Sequence, residues 1–247
     1  MRPPLPILLL SLVATAATAA PGKRAPVPAS DLVIRQSSPA LDWRWRIAPE
    51  AATQPALLAD MRAKALAEAA KEQAQASRDA TDSSKAGIPF RKYETINDWS
   101  LAADTQHLLA LAGETYAFTG GAHGNTGYGV AIWDKAAARR IGFADLFSDW
   151  PRARRLLEPA FCTALAAEQT RRRGDTTPAE PCPKLADQPV LPWARLASTA
   201  RQFRVLVAPY VAGSYAEGSY LIDVPWPDAV RTLVMPRYRA DLFGPEG

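Results

Sequence analysis

The chain has 247 residues, of which 48% are hydrophobic, and its 29 lysines and arginines against 25 acids give a formal net charge of +4. This balance is too even to indicate nucleic-acid binding, and the length suits one sizeable core or two small ones. Beyond the N-terminal apolar run, no segment is long and uncharged enough to span a membrane, so no span is predicted in the mature chain.

The N-terminus has the pattern of a secretory signal peptide. Arg2 precedes an apolar run over residues 5–13, and small residues follow it. Cleavage is predicted after Ala19, because Ala17 and Ala19 satisfy the Ala-x-Ala rule. Removal of residues 1–19 leaves 28 basic and 25 acidic residues. We therefore expect an exported protein that is not anchored, with a flexible leader over residues 20–30.

Residues 31–88 are predicted to form an N-terminal module of strands and one helix. Its predicted elements are a strand over 31–36, a strand over 41–48, a helix over 55–78 and a polar loop over 79–87. In the second strand, Trp43 and Trp45 alternate with charged residues, which places both rings on one face of a sheet. We expect that face to pack against the alanine-rich helix, whose apolar residues recur every four positions.

Residues 89–240 are predicted to form a second module, continuous with the first in one globular unit. Its predicted elements are strands over 91–105, 106–119 and 128–134, a helix over 150–172, and strands over 202–211, 219–226 and 232–236. Gly174 is the expected C-cap of that helix, where Arg171, Arg172 and Arg173 complement the carbonyl end. This order predicts an α+β fold with antiparallel or mixed sheets and two main helices.

The two cysteines, Cys162 and Cys182, are predicted to form a disulfide, because an exported protein meets an oxidising compartment. Such a bridge would staple a proline-rich segment to the helix that carries Cys162. Metal binding is the alternative, although the pair lacks the close C-x-x-C spacing of a zinc site.

The stretch YAFTGGAHGNTGYG, residues 116–129, concentrates glycines around one of only two histidines. Its five glycines are interpreted as a tight, wide-turning connection between two strands; they are Gly120, Gly121, Gly124, Gly127 and Gly129. In that setting His123 and Asn125 are turn residues whose side chains bond nearby backbone groups.

Catalytic patterns are sparse. AGSYAEG, residues 212–218, departs from the G-x-S-x-G of serine hydrolases, and no histidine follows it. A metal site of His123 with Glu217 or Asp223 lacks the usual histidine spacing, so no metal and no cofactor are predicted. His107 lies in an apolar strand and is interpreted as a satisfied core or interface residue. An acid/base pair of His123 and Glu217 remains the alternative, enzymatic hypothesis.

Three ordered motifs resemble a bacterial secreted domain family of largely uncharacterised function. They are a Tyr-x-x-x-Gly-Gly-Ala-His-Gly turn at 116–124, an element ending in Leu146-Phe147, and a Pro-Tyr pair at 209–210 followed by Tyr-Ala-Glu-Gly at 215–218. The family forms the extracellular part of RsiV-type anti-sigma factors, which is a lysozyme receptor, and resembles the region before the catalytic domain of PdaC-type peptidoglycan deacetylases. The resemblance covers most of residues 30–236.

The resemblance implies the RsiV extracellular-domain fold and a periplasmic location. It leads to the hypothesis of a non-enzymatic binding module of the bacterial envelope. Peptidoglycan fragments, another envelope protein or lysozyme are the expected partners. The slightly basic chain fits a glycan better than lysozyme, which is itself strongly basic. The candidate ligand-binding residues are His123, Asn125, Tyr215 and Glu217.

Overall fold

The computed structural model describes residues 28–174, 181–194 and 198–245. The predicted signal peptide and most of the predicted leader lie outside these residues. The strands are β1 Val33–Ser37, β2 Leu41–Ile47, β3 Tyr93–Asp104, β4 Leu108–Phe118, β5 Asn125–Asp134, β6 Arg139–Ile141, β7 Val190–Trp193, β8 Gln202–Val207 and β9 Tyr220–Pro225. The helices are α1 Pro55–Lys85, α2 Trp150–Arg173 and α3 Arg239–Phe243. Within the described ranges, no helix is apolar over a length that could cross a bilayer.

The strands form two sheets, and the predicted α+β class is confirmed. Six strands pair in the order β1-β2-β3-β4-β5-β6, and the other three pair as β7-β8-β9. Every pairing is antiparallel except that of β2 with β3, which α1 connects. The predicted boundary between the two modules at residues 88 and 89 therefore falls inside a β-α-β unit, and strands from both modules share one sheet.

Strand β4 is buried on both faces at its first four residues. Because side chains alternate along a strand, Leu108 and Ala110 enter one core while Leu109 and Leu111 enter the other. One core lies beneath α1 and contains Trp43 and the other tryptophan of β2. The second core contains the buried faces of α2 and the three-stranded sheet. The six-stranded sheet thus separates two apolar layers.

Helix α1 runs seven residues beyond the predicted end at Arg78, so the predicted loop over 79–87 is wrong. The apolar stripe continues because Ala76 is fully buried and Ala80 packs against the same core. Asp79 also accepts a hydrogen bond from the hydroxyl of Tyr93 at 2.9 Å. The helix is followed by Gly87, whose φ of +67° favours glycine.

One strand prediction near the C-terminus is wrong, and strand β7 was not predicted. The predicted strand over 232–236 is instead the end of a 3-10 helix, Asp228–Leu233, followed by a single bridge between Val234 and Phe147. Val230 and Leu233 are both buried, and their spacing of three fits the 3-10 turn. Strand β7 was missed because it contains Pro192, which is tolerated here since β7 is an edge strand.

Helix α2 has the predicted ends and carries the disulfide. The Asp149 side chain caps its start by accepting from the Arg152 amide at 3.0 Å. Gly174 closes its end in the left-handed conformation, with φ 77°. Cys162 on α2 is joined to Cys182 by a disulfide bond.

Two of the five glycines that were assigned to the turn lie inside strands. Gly127 and Gly129 belong to β5, where they pair with Thr115 and Gly113 of β4. A Cβ atom on Gly113 would lie 2.8 Å from the indole ring of Trp99, and one on Gly129 would lie 3.2 Å from it. Gly113 and Gly129 therefore make room for the indole ring of Trp99 on the sheet face beneath α1.

We expect Gly113→Ala to lower the free energy of unfolding by about 1–3 kcal/mol, because the added methyl overlaps Trp99 in a packed layer. Gly127→Ala is the matched control, since a Cβ there meets no atom within 4 Å. Its effect should stay within about 0.5 kcal/mol. Urea unfolding measures both values, and equal losses in the two variants would contradict this account of Trp99.

Candidate functional site

The turn between β4 and β5 is fixed by a hydrogen bond from Arg91 and by packing against Tyr116. Gly120 has φ +85°, and Arg91 donates a hydrogen bond from Nη1 to the Gly121 carbonyl at 2.6 Å. The ring of Tyr116 occupies the space that a side chain on Gly124 would need. This glycine is therefore required by close packing, and the turn presents His123 in an exposed position.

A second loop follows β8 and meets this turn. The strand predicted over 202–211 ends at Val207, because Pro209 and Tyr210 turn the chain away. Tyr210 has φ 69°, a left-handed conformation that few residues other than glycine adopt. Further along, the hydroxyl of Tyr215 donates to the carbonyl of Gly124 at 2.9 Å. The two loops are thus joined by a side chain to backbone hydrogen bond.

Three side chains form an exposed aromatic platform: His123, Tyr210 and Tyr215. The rings of His123 and Tyr215 stack with centroids 3.9 Å apart, and the two tyrosine rings lie 5.5 Å apart at 29°. Tyr210 is 58% exposed and Tyr215 is 37% exposed. Large aromatic rings are usually buried, so these stacked rings at the surface make the platform a candidate contact surface.

Hydrogen bonds orient the imidazole of the platform. Nδ1 of His123 lies 2.8 Å from the carbonyl of Gly124, which can only accept, so Nδ1 carries the proton. In the neutral ring, Nε2 is then the acceptor, and it lies 3.4 Å from the hydroxyl of Tyr210. These two contacts hold the imidazole ring of His123 in one orientation, and neither contact is with a carboxylate.

Glu217 anchors the loop that carries the platform. Its carboxylate accepts from the Ser214 amide at 2.9 Å and from Nε of Arg173 at 2.6 Å, and it also binds the hydroxyls of Ser214 and Tyr220. The Tyr220 hydroxyl, followed by the Ser214 amide and the Arg173 guanidinium, lowers the pKa of Glu217 to about 2. This carboxylate is thus ionised at neutral pH and fixed in place.

The end of α2 supplies further anchors. Arg172 donates to the carbonyls of Glu217 and Ser219 at 2.8 and 2.9 Å, and its guanidinium lies over the ring of Tyr220. Gln169 donates to the carbonyl of Ala212 at 2.7 Å. The basic run, interpreted from sequence as a helix end, therefore also holds the platform loop against the protein.

The structure brings some of the predicted site residues together and separates others. His123 and Tyr215 stack, whereas among the described residues His123 and Glu217 share no hydrogen bond. Asn125 is the exposed first residue of β5, and its side chain accepts from the Thr126 amide. The proposed metal partner Asp223 is ion-paired with Arg204.

His107 lies in the turn between β3 and β4, so its predicted place inside a strand is wrong. Its Nδ1 and its backbone amide both contact the carboxylate of Asp241, at 2.8 and 3.1 Å, and Asp241 is 3% exposed. In the described part of the chain, no group of three or more His, Cys, Asp or Glu side chains is arranged to hold a metal ion.

Sequence reasoning did not select Tyr210 as a site residue. The available signal was the Pro209-Tyr210 pair directly after a buried strand, since proline ends a ladder and the next side chain turns outward. Its position in the platform depends on the left-handed backbone, which single-residue propensities do not indicate for tyrosine.

Comparison with known families gives one match. Residues 48–126 match the family model described as Deacetylase PdaC, a stretch that ends just after the glycine turn. The chain resembles this family there. The resemblance to PdaC-type proteins that the motifs predicted is thus supported over this stretch, while the resemblance to RsiV-type anti-sigma factors stays a prediction. A comparison with curated proteins finds no significant match.

One solved structure supports the fold. A DUF3298 family protein from Pseudomonas aeruginosa PAO1 aligns with a TM-score of 0.54 at 18% identity, over 86% of this chain and 96% of that chain. A DUF3298 family member from Bacteroides fragilis NCTC 9343 aligns with a TM-score of 0.48 at 15% identity, over 80% and 85%. At 18% identity, the likeness to the Pseudomonas aeruginosa protein shows the fold of this chain and not its activity.

Proposed function

We propose that the protein is a non-enzymatic binding module of the bacterial envelope, and that it binds a cell-wall glycan on the aromatic platform. The observation that carries the proposal is the exposed stack of His123, Tyr210 and Tyr215. One face of a sugar ring is lined by C–H groups, which pack on aromatic rings, while its hydroxyls need polar partners at the edge. The Tyr210 hydroxyl supplies such a partner.

The platform is ordered before any ligand arrives. Tyr215 is bound to Gly124 at 2.9 Å, and its loop is fixed by Glu217 and Arg173. Binding therefore costs little side-chain and loop entropy, which is what a weak, repeated contact with a glycan requires. The strained backbone of Tyr210 also fits a functional role, because such conformations concentrate at binding sites.

The compartment and the matched family support an envelope ligand. The Cys162–Cys182 disulfide fits an oxidising space such as the periplasm, and the predicted signal peptide leads there. The matched family is described as a deacetylase of the PdaC type. A glycan is favoured over lysozyme because the chain carries a formal net charge of +4, which opposes a strongly basic partner.

The experiment is calorimetric titration of the mature protein with a soluble N-acetylglucosamine hexasaccharide and with purified sacculi. We expect Tyr210→Ala and Tyr215→Ala each to weaken glycan binding by roughly tenfold, the loss from one stacking contact. Ile88→Ala is the control, because Ile88 is 62% exposed and not part of the platform.

Two outcomes would overturn the proposal. If the protein binds lysozyme but neither glycan, its ligand is a protein. If it releases products from the glycans and His123→Ala abolishes that turnover while the fold is retained, the enzymatic alternative holds. Product analysis by mass spectrometry in the same samples separates these results from simple binding.

A further inference from the structure

Part of the six-stranded sheet has an uncovered face beside the platform. On the side away from α1, Ala112 and Val130 pack against the second core at one end of β4 and β5. Toward the other end the same face carries exposed charges, among them Glu114 on β4, Glu94 on β3 and Arg35 on β1. Within the described residues, the three-stranded sheet therefore covers only part of this face.

The strand register places these residues in rows. One row crosses four strands through the pairs Arg35–Arg44, Arg44–Ile96 and Ile96–Tyr116. Three inter-strand steps of about 4.8 Å make this row about 14 Å long. It leads from two arginines to Tyr116, whose ring supports Gly124 and hence the aromatic platform.

Two cavities lie along this row and share Ile96. The larger, about 420 Å³, is lined by Arg35, Asp42, Arg44 and Glu94 among others. The smaller, about 240 Å³, is lined by Ile96, Asp98, Ser100, Glu114 and Tyr116. We call these two neighbouring cavities together the sheet groove.

Opposite charges are separated along the sheet groove. Asp98 accepts from both Arg44 and Arg46, at 3.3 and 3.0 Å, so one carboxylate serves two guanidinium groups. Nε of Arg44 and Oδ1 of Asp98 are shielded from solvent without a hydrogen-bond partner. Among the described residues, no ion pair is formed by Arg35, Glu94 or Glu114. The β1–β2 side therefore has excess positive charge, and the β3–β4 side has excess negative charge.

We propose that the sheet groove binds a short peptide bearing a free carboxylate and a free amine, attached to the glycan on the aromatic platform. The carboxylate lies against Arg35 and Arg44, and the ammonium lies against Glu114 or Glu94. A groove with excess positive charge on one side and excess negative charge on the other favours a dipolar ligand over a uniformly charged one, and Asp42 on the positive side is already paired with Lys92. The proposal rests on the proposed function, because it makes the ligand a glycopeptide.

The test compares three probes by calorimetry: a cell-wall disaccharide, the same disaccharide carrying a tetrapeptide with free amino and carboxylate groups, and that glycopeptide with its amine acetylated. The intact glycopeptide should bind at least roughly tenfold more tightly than the bare disaccharide, since charge-assisted hydrogen bonds are added. Acetylation of the amine should remove about half of the binding free energy that the tetrapeptide adds.

Variants test whether the higher affinity for the glycopeptide comes from the sheet groove. Arg35→Ala and Glu114→Gln should each reduce the preference for the glycopeptide and leave the affinity for bare disaccharide unchanged. Arg139→Ala and Glu50→Gln alter charges outside the groove and should change neither value. Circular dichroism of each variant confirms that the fold is retained.

The outcomes separate the two proposals. Equal affinity for disaccharide and glycopeptide overturns the groove and leaves glycan binding intact. Glycopeptide binding that depends on Arg35 but not on Tyr215 overturns the platform and keeps the groove. If no probe binds, both proposals fail.

Discussion

Replacing Glu217 by glutamine is expected to weaken glycan binding by at least roughly thirtyfold, more than the loss of either platform tyrosine. The neutral side chain cannot form the ion pair with Arg173, and it accepts weaker hydrogen bonds from Ser214 and Tyr220. The loss of these contacts releases the loop that presents Tyr215. Ordering even two loop residues on binding costs about 2–4 kcal/mol, and 2 kcal/mol is about thirtyfold in affinity. Calorimetric titration with the glycan measures the loss.

The same variant should change the acid dependence of stability. The pKa of Glu217 is lowered to about 2 in the folded protein, mainly by the Tyr220 hydroxyl, against about 4.3 in an unfolded chain. Its stabilisation is therefore complete above the unfolded value and is lost as the pH falls toward 2. The Tm difference between the protein and Glu217→Gln should be largest at pH 7 and shrink between about pH 5 and 2.

Glu168→Gln is the matched control for this prediction. Hydrogen bonds from Arg171 and then Arg172 lower the pKa of Glu168 to about 2 as well, and the bonds from Arg172 to the carbonyls of Glu217 and Ser219 stay in place when Glu168 is replaced. This variant should share the acid dependence and keep glycan binding within about twofold, because the Glu217 carboxylate still anchors the loop. Equal binding losses in both variants would show that helix α2, rather than the loop anchor, is what binding requires.

Phe203→Ala is expected to cost about 3–5 kcal/mol of unfolding free energy. Phe203 on β8 is fully buried, and its ring lies 5.0 Å from that of Trp226 and 6.1 Å from that of Phe143. The aromatic neighbours cannot close the cavity without leaving their own contacts, so most of the penalty should remain.

Leu221→Ala on the adjacent strand β9 is the control, since Leu221 is 43% exposed. Its effect should stay below about 1 kcal/mol. Urea unfolding with the disulfide intact measures both. A small loss at Phe203 would mean that the three-stranded sheet contributes little to the second core.

The fold could be predicted where one physical pattern dominated. The alternation around Trp43 predicted a half-buried strand, and Gly174 predicted the end of α2; both positions have these roles. Prediction failed where tertiary contacts decided the outcome. Polar residues after Arg78 indicated a loop, yet the buried Ala76 and the bond from Tyr93 to Asp79 extend the helix.

The site was predicted in part. The ordered motifs selected His123, Tyr215 and Glu217, and two of these stack while the third fixes their loop. Their mutual arrangement could not be predicted, because it depends on α2 reaching over to bind Glu217. The sheet groove escaped prediction for a related reason: the row from Arg35 to Tyr116 requires the parallel register of β2 and β3, which no local pattern specifies.

The double burial of β4 also determines how the chain can be divided. A fragment beginning at residue 89 would expose Leu109 and Leu111 to water and leave β3 with an open edge that invites aggregation. The stretch that matches the PdaC family model, residues 48–126, omits all of β1 and β2 and most of β5. This stretch is therefore not an autonomous folding unit, and expression of shorter pieces should yield insoluble protein.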